Sequence, residues 1–182
     1  MKVIRNLFLA VITVIGFSII PADAQSFAAA SKPERSLNEQ VYRRLKGMIN
    51  ANVFDFVDWE INGSTVTLTG KVYTIGTRRD AANQVKDLPG VTTVINNIQQ
   101  LPASPYDDRI REAAYAEFSS RGPAQYFGHP NPDVRIIVEN GRLTLEGYVT
   151  SKRHGDTLNI LANSIPGVFS VTNNLRIGER RF

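Results

Sequence analysis

Residues 134–175 read VRIIVENGRLTLEGYVTSKRHGDTLNILANSIPGVFSVTNNL, and residues 57–98 read VDWEINGSTVTLTGKVYTIGTRRDAANQVKDLPGVTTVINNI. A shift of 77 lays one on the other without a gap. It pairs Val57 with Val134, Leu68 with Leu145, Gly70 with Gly147, Val72 with Val149, Pro89-Gly90-Val91 with Pro166-Gly167-Val168, and Asn96-Asn97 with Asn173-Asn174. Self-similarity over so long a stretch sets the architecture before any element is assigned. It predicts two small domains of one fold, and it points to binding rather than catalysis.

Within each copy the hydrophobic period changes in the same order. Val57, Trp59 and Ile61 alternate with Asp58, Glu60 and Asn62, the period of a half-buried strand. Asn62-Gly63 supplies residues that tolerate positive φ, and Val66, Leu68 and Val72 resume the alternation, so a β-hairpin is expected. Gly70 falls inside the second strand, where a bulge or a close backbone approach would account for it. A helix over about Arg78 to Leu88 carries Ala81, Ala82, Val85 and Leu88 on one side and is stopped by Pro89-Gly90. Val91 to Ile98 forms the closing strand. In the second copy Val134, Ile136 and Val138 lead through Asn140-Gly141 to Leu143, Leu145 and Val149, then Leu158, Leu161, Ala162 and Ile165 face a helix that Pro166-Gly167 ends.

Each hairpin is preceded by a further helix. Ser36 with Glu39 forms a capping-box pattern, and Leu37, Val41, Leu45 and Ile49 recur every fourth residue as one buried stripe. Ile110, Ala114 and Phe118 repeat this stripe at a shift of 73, so the second copy carries four extra residues between its first helix and first strand. The fold class is therefore α+β: two tandem domains, each helix-strand-strand-helix-strand, with both helices on one face of a three-stranded sheet. The expected organisation is a signal peptide over 1–24, a flexible tether over 25–35, a first domain over 36–100, a linker over 101–105, a second domain over 106–178 and a tail over 179–182.

The N-terminus supports export. Lys2 and Arg5 precede an apolar run from Leu7 to Ile20, then Pro21 and the Ala22-Asp23-Ala24 cleavage pattern. With no cysteine anywhere, disulfides, thiolate metal sites and a catalytic thiol are excluded, and the exported protein relies on its core alone. A periplasmic location follows as the expectation. The net charge of +4 is too small and too dispersed for a nucleic-acid partner, and suits a weak attraction to anionic lipid headgroups.

The strand pattern Val66-x-Leu68-x-Gly70-x-Val72, the Pro-Gly-Val helix stop and the following Val94-x-Asn96, repeated as Leu143-x-Leu145-x-Gly147-x-Val149, Pro166-Gly167-Val168 and Val171-x-Asn173, resemble the BON domain of bacterial envelope proteins. The resemblance covers nearly all of the mature chain and is similar to the dual-BON periplasmic type. It implies binding to phospholipid membranes, support of envelope integrity or osmotic-stress tolerance, and no enzymatic chemistry. The repeated residues are strand-core and turn positions, which certify the fold without marking a site.

Nothing in the chain reads as an active site. His129 and His154 lie outside any nucleophile motif and are expected as solvent-exposed residues on mobile segments. Asp107-Asp108 precede an amphipathic helix and are expected to cap it and meet its dipole. No phosphate loop or metal-ligand spacing occurs, so no cofactor or metal is expected. Trp59, whose counterpart is Ile136, is expected in the core or the domain interface.

The material left over is the longer loop of the second copy, with adjacent Tyr126 and Phe127 flanked by Arg121 and His129. Aromatics beside cations suit the boundary between headgroups and acyl chains, and the other reading folds the two rings over their own core. The candidate membrane surface is therefore Arg109, Arg111, Arg121, Tyr126, Phe127 and His129, with anionic phospholipid as the partner. The alternative is a protein-interaction or chaperone-like module holding periplasmic partners.

Overall fold

Ser36 opens the described chain as a helix cap: its hydroxyl accepts from the Glu39 N–H at 3.2 Å, as the capping-box pattern requires. The computed structural model describes residues 36–48, 51–128 and 132–178, all within one unit, Arg35–Phe182. The expected signal peptide, tether and tail lie outside them, as do Ile49 and His129. Helix α1 (Leu37–Lys46) buries Val41 and Leu45 and ends at Gly47.

Strands β1 (Phe56–Asn62) and β2 (Thr65–Val72) form the expected antiparallel hairpin, with Trp59 opposite Leu68 and Ile61 opposite Val66. Helix α2 (Ile75–Lys86) begins three residues before the expected Arg78, because the Thr74 hydroxyl caps it by accepting from the Thr77 N–H. It leads to β3 (Thr93–Asn96) and the short β4 (Gln99–Gln100), both parallel to β2. Strand β2 is central, and a helical crossover supplies the length a parallel connection needs.

The second copy rebuilds this unit with α3 (Pro105–Arg121), β5 (Val134–Glu139), β6 (Arg142–Val149), α4 (Lys152–Asn163) and β7 (Ser170–Ile177), in the sheet order β5-β6-β7. The repeated residues have shared structural tasks. Gly70 and Gly147 both have φ of +118°, and a Cβ there would lie 2.1 Å from the Phe56 carbonyl oxygen or 2.0 Å from that of Asp133. Only glycine fits. Asn96 donates to the Arg78 carbonyl at 3.0 Å and Asn173 to the Gly155 carbonyl at 3.2 Å, so the same side chain ties the edge strand to the helix in each copy.

Each copy has its own apolar cluster between helices and sheet. Val41, Leu45, Leu68, Val72, Ala81 and Val85 belong to the first; Ile110, Phe118, Ile136, Leu145, Leu158 and Ala162 belong to the second. The two are not independent. Val53, from the segment joining α1 to β1, is buried in the second copy's cluster, and its carbonyl accepts from the Ile136 N–H at 2.8 Å. Arg135 donates to the Asn52 carbonyl at 2.9 Å, and Lys71 pairs with Glu139. Leu101, at the head of the expected linker, is buried, and its N–H donates to the Val72 carbonyl at 2.8 Å.

Candidate functional site

The loop singled out in the sequence turns inward. Ala124–Phe127 form one 3-10 turn, in which Tyr126 and Phe127 are only 3% and 2% exposed. The Phe127 ring stacks on Phe118 with centroids 5.5 Å apart. The Tyr126 hydroxyl accepts from the Thr150 N–H at 2.8 Å and lies 2.7 Å from His154 Nδ1. Burying two rings with the phenol satisfied stabilises more than leaving them in water, which is why the loop plugs its own core. The expectation that these aromatics meet lipid is corrected accordingly. His154, expected to be solvent-exposed and mobile, is instead half-buried in the first turn of α4.

Arg111 is corrected in the same way. It is 1% exposed, donates to the Val138 carbonyl and to Asp108, and its guanidinium lies 5.1 Å from the centroid of the Tyr73 ring in the first copy. A headgroup cannot reach it. Asp107 does not cap α3; the Ser104 hydroxyl does, accepting from the Asp107 N–H at 3.2 Å. The buried Asp107 carboxylate accepts from the N–H groups of Asn140 at 2.9 Å and Gly141 at 2.8 Å, fastening the β5-β6 turn to the helix. Trp59 is half-buried at the edge of the first cluster, where its indole N–H donates to Asn38 at 2.7 Å.

Of the expected surface, Arg109 and Arg121 remain exposed. They sit twelve residues apart on α3, about 18 Å along its axis, so they do not form one cluster. Arg121 is paired with Glu117 at 2.6 Å. Arg109 lies over the Tyr106 ring, 5.8 Å from its centroid.

Tyr106 leads to a patch the sequence reading passed over. Phe169, just after the Pro-Gly-Val stop, is 78% exposed, and its ring centroid is 6.3 Å from that of Tyr106. Its N–H donates to the Gly141 carbonyl at 2.8 Å, and the ring lies so close over Gly141 that a Cβ there would be 2.3 Å from Cδ2. The Tyr106 hydroxyl donates to the Gly167 carbonyl at 2.5 Å, fixing the loop beneath the ring. Arg142, next to Gly141, is exposed. Two aromatics and Arg109 thus share one corner of the second copy. The signal was legible at the shift of 77, where Phe169 stands opposite Thr92. In the first copy that corner holds a polar pair, Thr92 and Ser64, whose hydroxyls are 2.7 Å apart.

Among the described residues no group of three or more histidine, cysteine or carboxylate side chains could hold a metal, and no helix is long and apolar enough to cross a membrane.

The family model described as BON domain matches twice, over residues 36–102 and 106–179. No curated protein matches the sequence. Among solved structures the chain is similar to CdsD, a structural protein of the type III secretion system of Chlamydia trachomatis, at 13% identity over 81% of this chain and 94% of that one, with a TM-score of 0.33. The C-terminal domain of CdsD aligns with 13% identity over 81% of this chain and 100% of that one, with a TM-score of 0.32. At those scores the likeness carries nothing further.

Proposed function

From the premise that this chain belongs to the BON domain family, whose domains are non-catalytic binding modules of envelope-associated proteins, we propose that it is a periplasmic protein that docks on anionic phospholipid through its second copy. The observation that carries this reading is Phe169, a large apolar ring held 78% in solvent by a loop that hydrogen bonds fix from both sides. Exposing such a ring is unfavourable in water and favourable at the boundary between headgroups and acyl chains. Tyr106 supplies the amphipathic ring suited to that depth, while Arg109, over that ring, meets a phosphate and contributes about 1 kcal/mol near an anionic surface. The signal peptide expected over 1–24 would deliver the protein to the envelope, where it would support integrity or osmotic-stress tolerance.

Co-sedimentation of the mature protein with vesicles tests the reading. Phosphatidylglycerol vesicles should bind it, phosphatidylcholine vesicles should bind it weakly, and salt should release it. Phe169→Ala should lose most of the bound fraction, and Arg109→Ala should weaken the preference for phosphatidylglycerol. Unchanged sedimentation of Phe169→Ala would remove the site.

A second reading, the holding of protein partners, is favoured by one feature. Strand β7 presents eight residues at the sheet edge, ending in Ile177, which is 64% exposed. A client that binds the Phe169→Ala variant as well as the parent protein would support it.

A further inference from the structure

A cavity of about 110 Å³ opens between the two copies, beneath the α1–β1 segment. Its apolar lining includes Tyr42, Leu45, Met48, Val57 and Trp59 of the first copy. Its charged groups come from both copies, Lys46 and Asp55 of the first and Asp133 and Arg135 of the second. A mainly apolar pocket with a few convergent polar groups is the usual form of a small-ligand site, and cavities of this order hold a group the size of benzene.

The polar groups differ in how far the protein satisfies them. Asp55, also on the wall, is occupied: it accepts from the N–H groups of Asn52 at 3.0 Å and Tyr73 at 2.6 Å and from the Thr77 hydroxyl at 3.4 Å. Arg135 is not. It spends Nη1 on the Asn52 carbonyl and forms no ion pair among the described residues, so Asp55 and Asp133 act on it only at longer range. Burial pushes its guanidinium down to about 10, and Asp55 and Asp133 act in the opposite direction. Lys46, another cation on the lining, is held by the Tyr42 hydroxyl at 3.1 Å.

We propose that this cavity binds a single-chain carboxylate amphiphile, with its apolar chain against Trp59 and Leu45 and its carboxylate on Arg135. The charge selects the head group. A planar guanidinium fork matches a carboxylate in a bidentate pair, and such a pair gains strength where water is excluded. The volume selects the chain, since a short run of methylenes fills the slot and a two-chain lipid does not fit it. This site is separate from the Phe169 corner and does not depend on membrane docking.

Trp59 is the only tryptophan of the chain, so its emission reports the cavity directly. Titration of the mature protein with octanoate, below its micelle range, should change that emission saturably. Octanol should bind about tenfold more weakly, the loss of one charge-assisted pair, and acetate should not compete. Arg135→Met should lower octanoate affinity about tenfold and abolish its advantage over octanol. Phe169→Ala should leave the titration unchanged. The proposal is overturned if octanoate produces no saturable change in the parent protein, or if octanoate and octanol bind it equally. Both of those results come from the unmutated chain and stand whether or not Arg135→Met folds.

Discussion

The Ile136 N–H donates to the Val53 carbonyl at 2.8 Å, across the boundary between the two copies. By this bond a segment of the first copy attaches to β5, the edge strand of the second, and the Val53 side chain is buried in the second cluster. An edge strand left open invites pairing with other chains, and here the neighbouring repeat supplies the cover.

One consequence is shared unfolding. Val53→Ala removes buried methyl groups from a cluster that belongs to the other copy and should cost about 2 kcal/mol. In the parent protein, urea transitions followed by Trp59 fluorescence, which reports the first copy, and by far-UV circular dichroism, which reports both, should coincide. Separated midpoints would show that the two copies fold as independent beads.

The glycine inside β6 makes a sharper prediction. Gly147→Ala places a methyl group into the Asp133 carbonyl in a backbone conformation that alanine rarely adopts, so it should cost about 3 kcal/mol or more. Gly128→Ala, where an added Cβ meets nothing within 4 Å, is the control and should change stability by less than about 0.5 kcal/mol. Equal denaturation midpoints for the two variants would contradict the proposed close approach.

Glu146 gives the pH dependence a sign. Burial raises its carboxyl above the usual value of 4.5 and the nearby Asp58 adds to the rise, whereas the Asn174 side chain and Arg176 oppose it. A folded-state value above the unfolded one means the native state holds the proton more tightly. That contribution to stability is present below 4.5 and is lost as pH climbs through the folded value. Glu146→Gln keeps the acceptor for Asn174 Nδ2, at 2.7 Å in the parent, without the charge. It should match the parent at pH 4 and be the more stable of the two at pH 7, with the gap in urea midpoint opening between them. A gap that closes as pH rises would reverse the assignment.

The features that repeat were legible because their causes are local. Alternation in β1 and β2, the turn residues at Gly63 and Gly141, the cap at Ser36 and the Pro-Gly-Val stops act within a few residues of themselves. The start of α2 was misplaced by three residues because Thr74 is a cap that carries no apolar period. The candidate surface was harder to read. Tyr126 and Phe127 stand in a segment with no period, so sequence offers no face for them, and the space beside Phe118 decides. Arg111 follows Ile110 on α3 and reads as a polar-side residue until the first copy brings Tyr73 over it. Phe169 differs from its counterpart Thr92, which marks it in the sequence, but its exposure is decided by its place above Gly141.

One α+β unit built twice can be read from the chain alone, since strand period, glycine tolerance and helix stops are properties of short stretches. Which apolar and charged groups meet water is set by the packing of the folded chain. That outcome depends on surfaces brought together from distant positions, Val53 with Ile136, Tyr73 with Arg111 and Tyr106 with Phe169, and the energy of burial belongs to such pairs rather than to either residue.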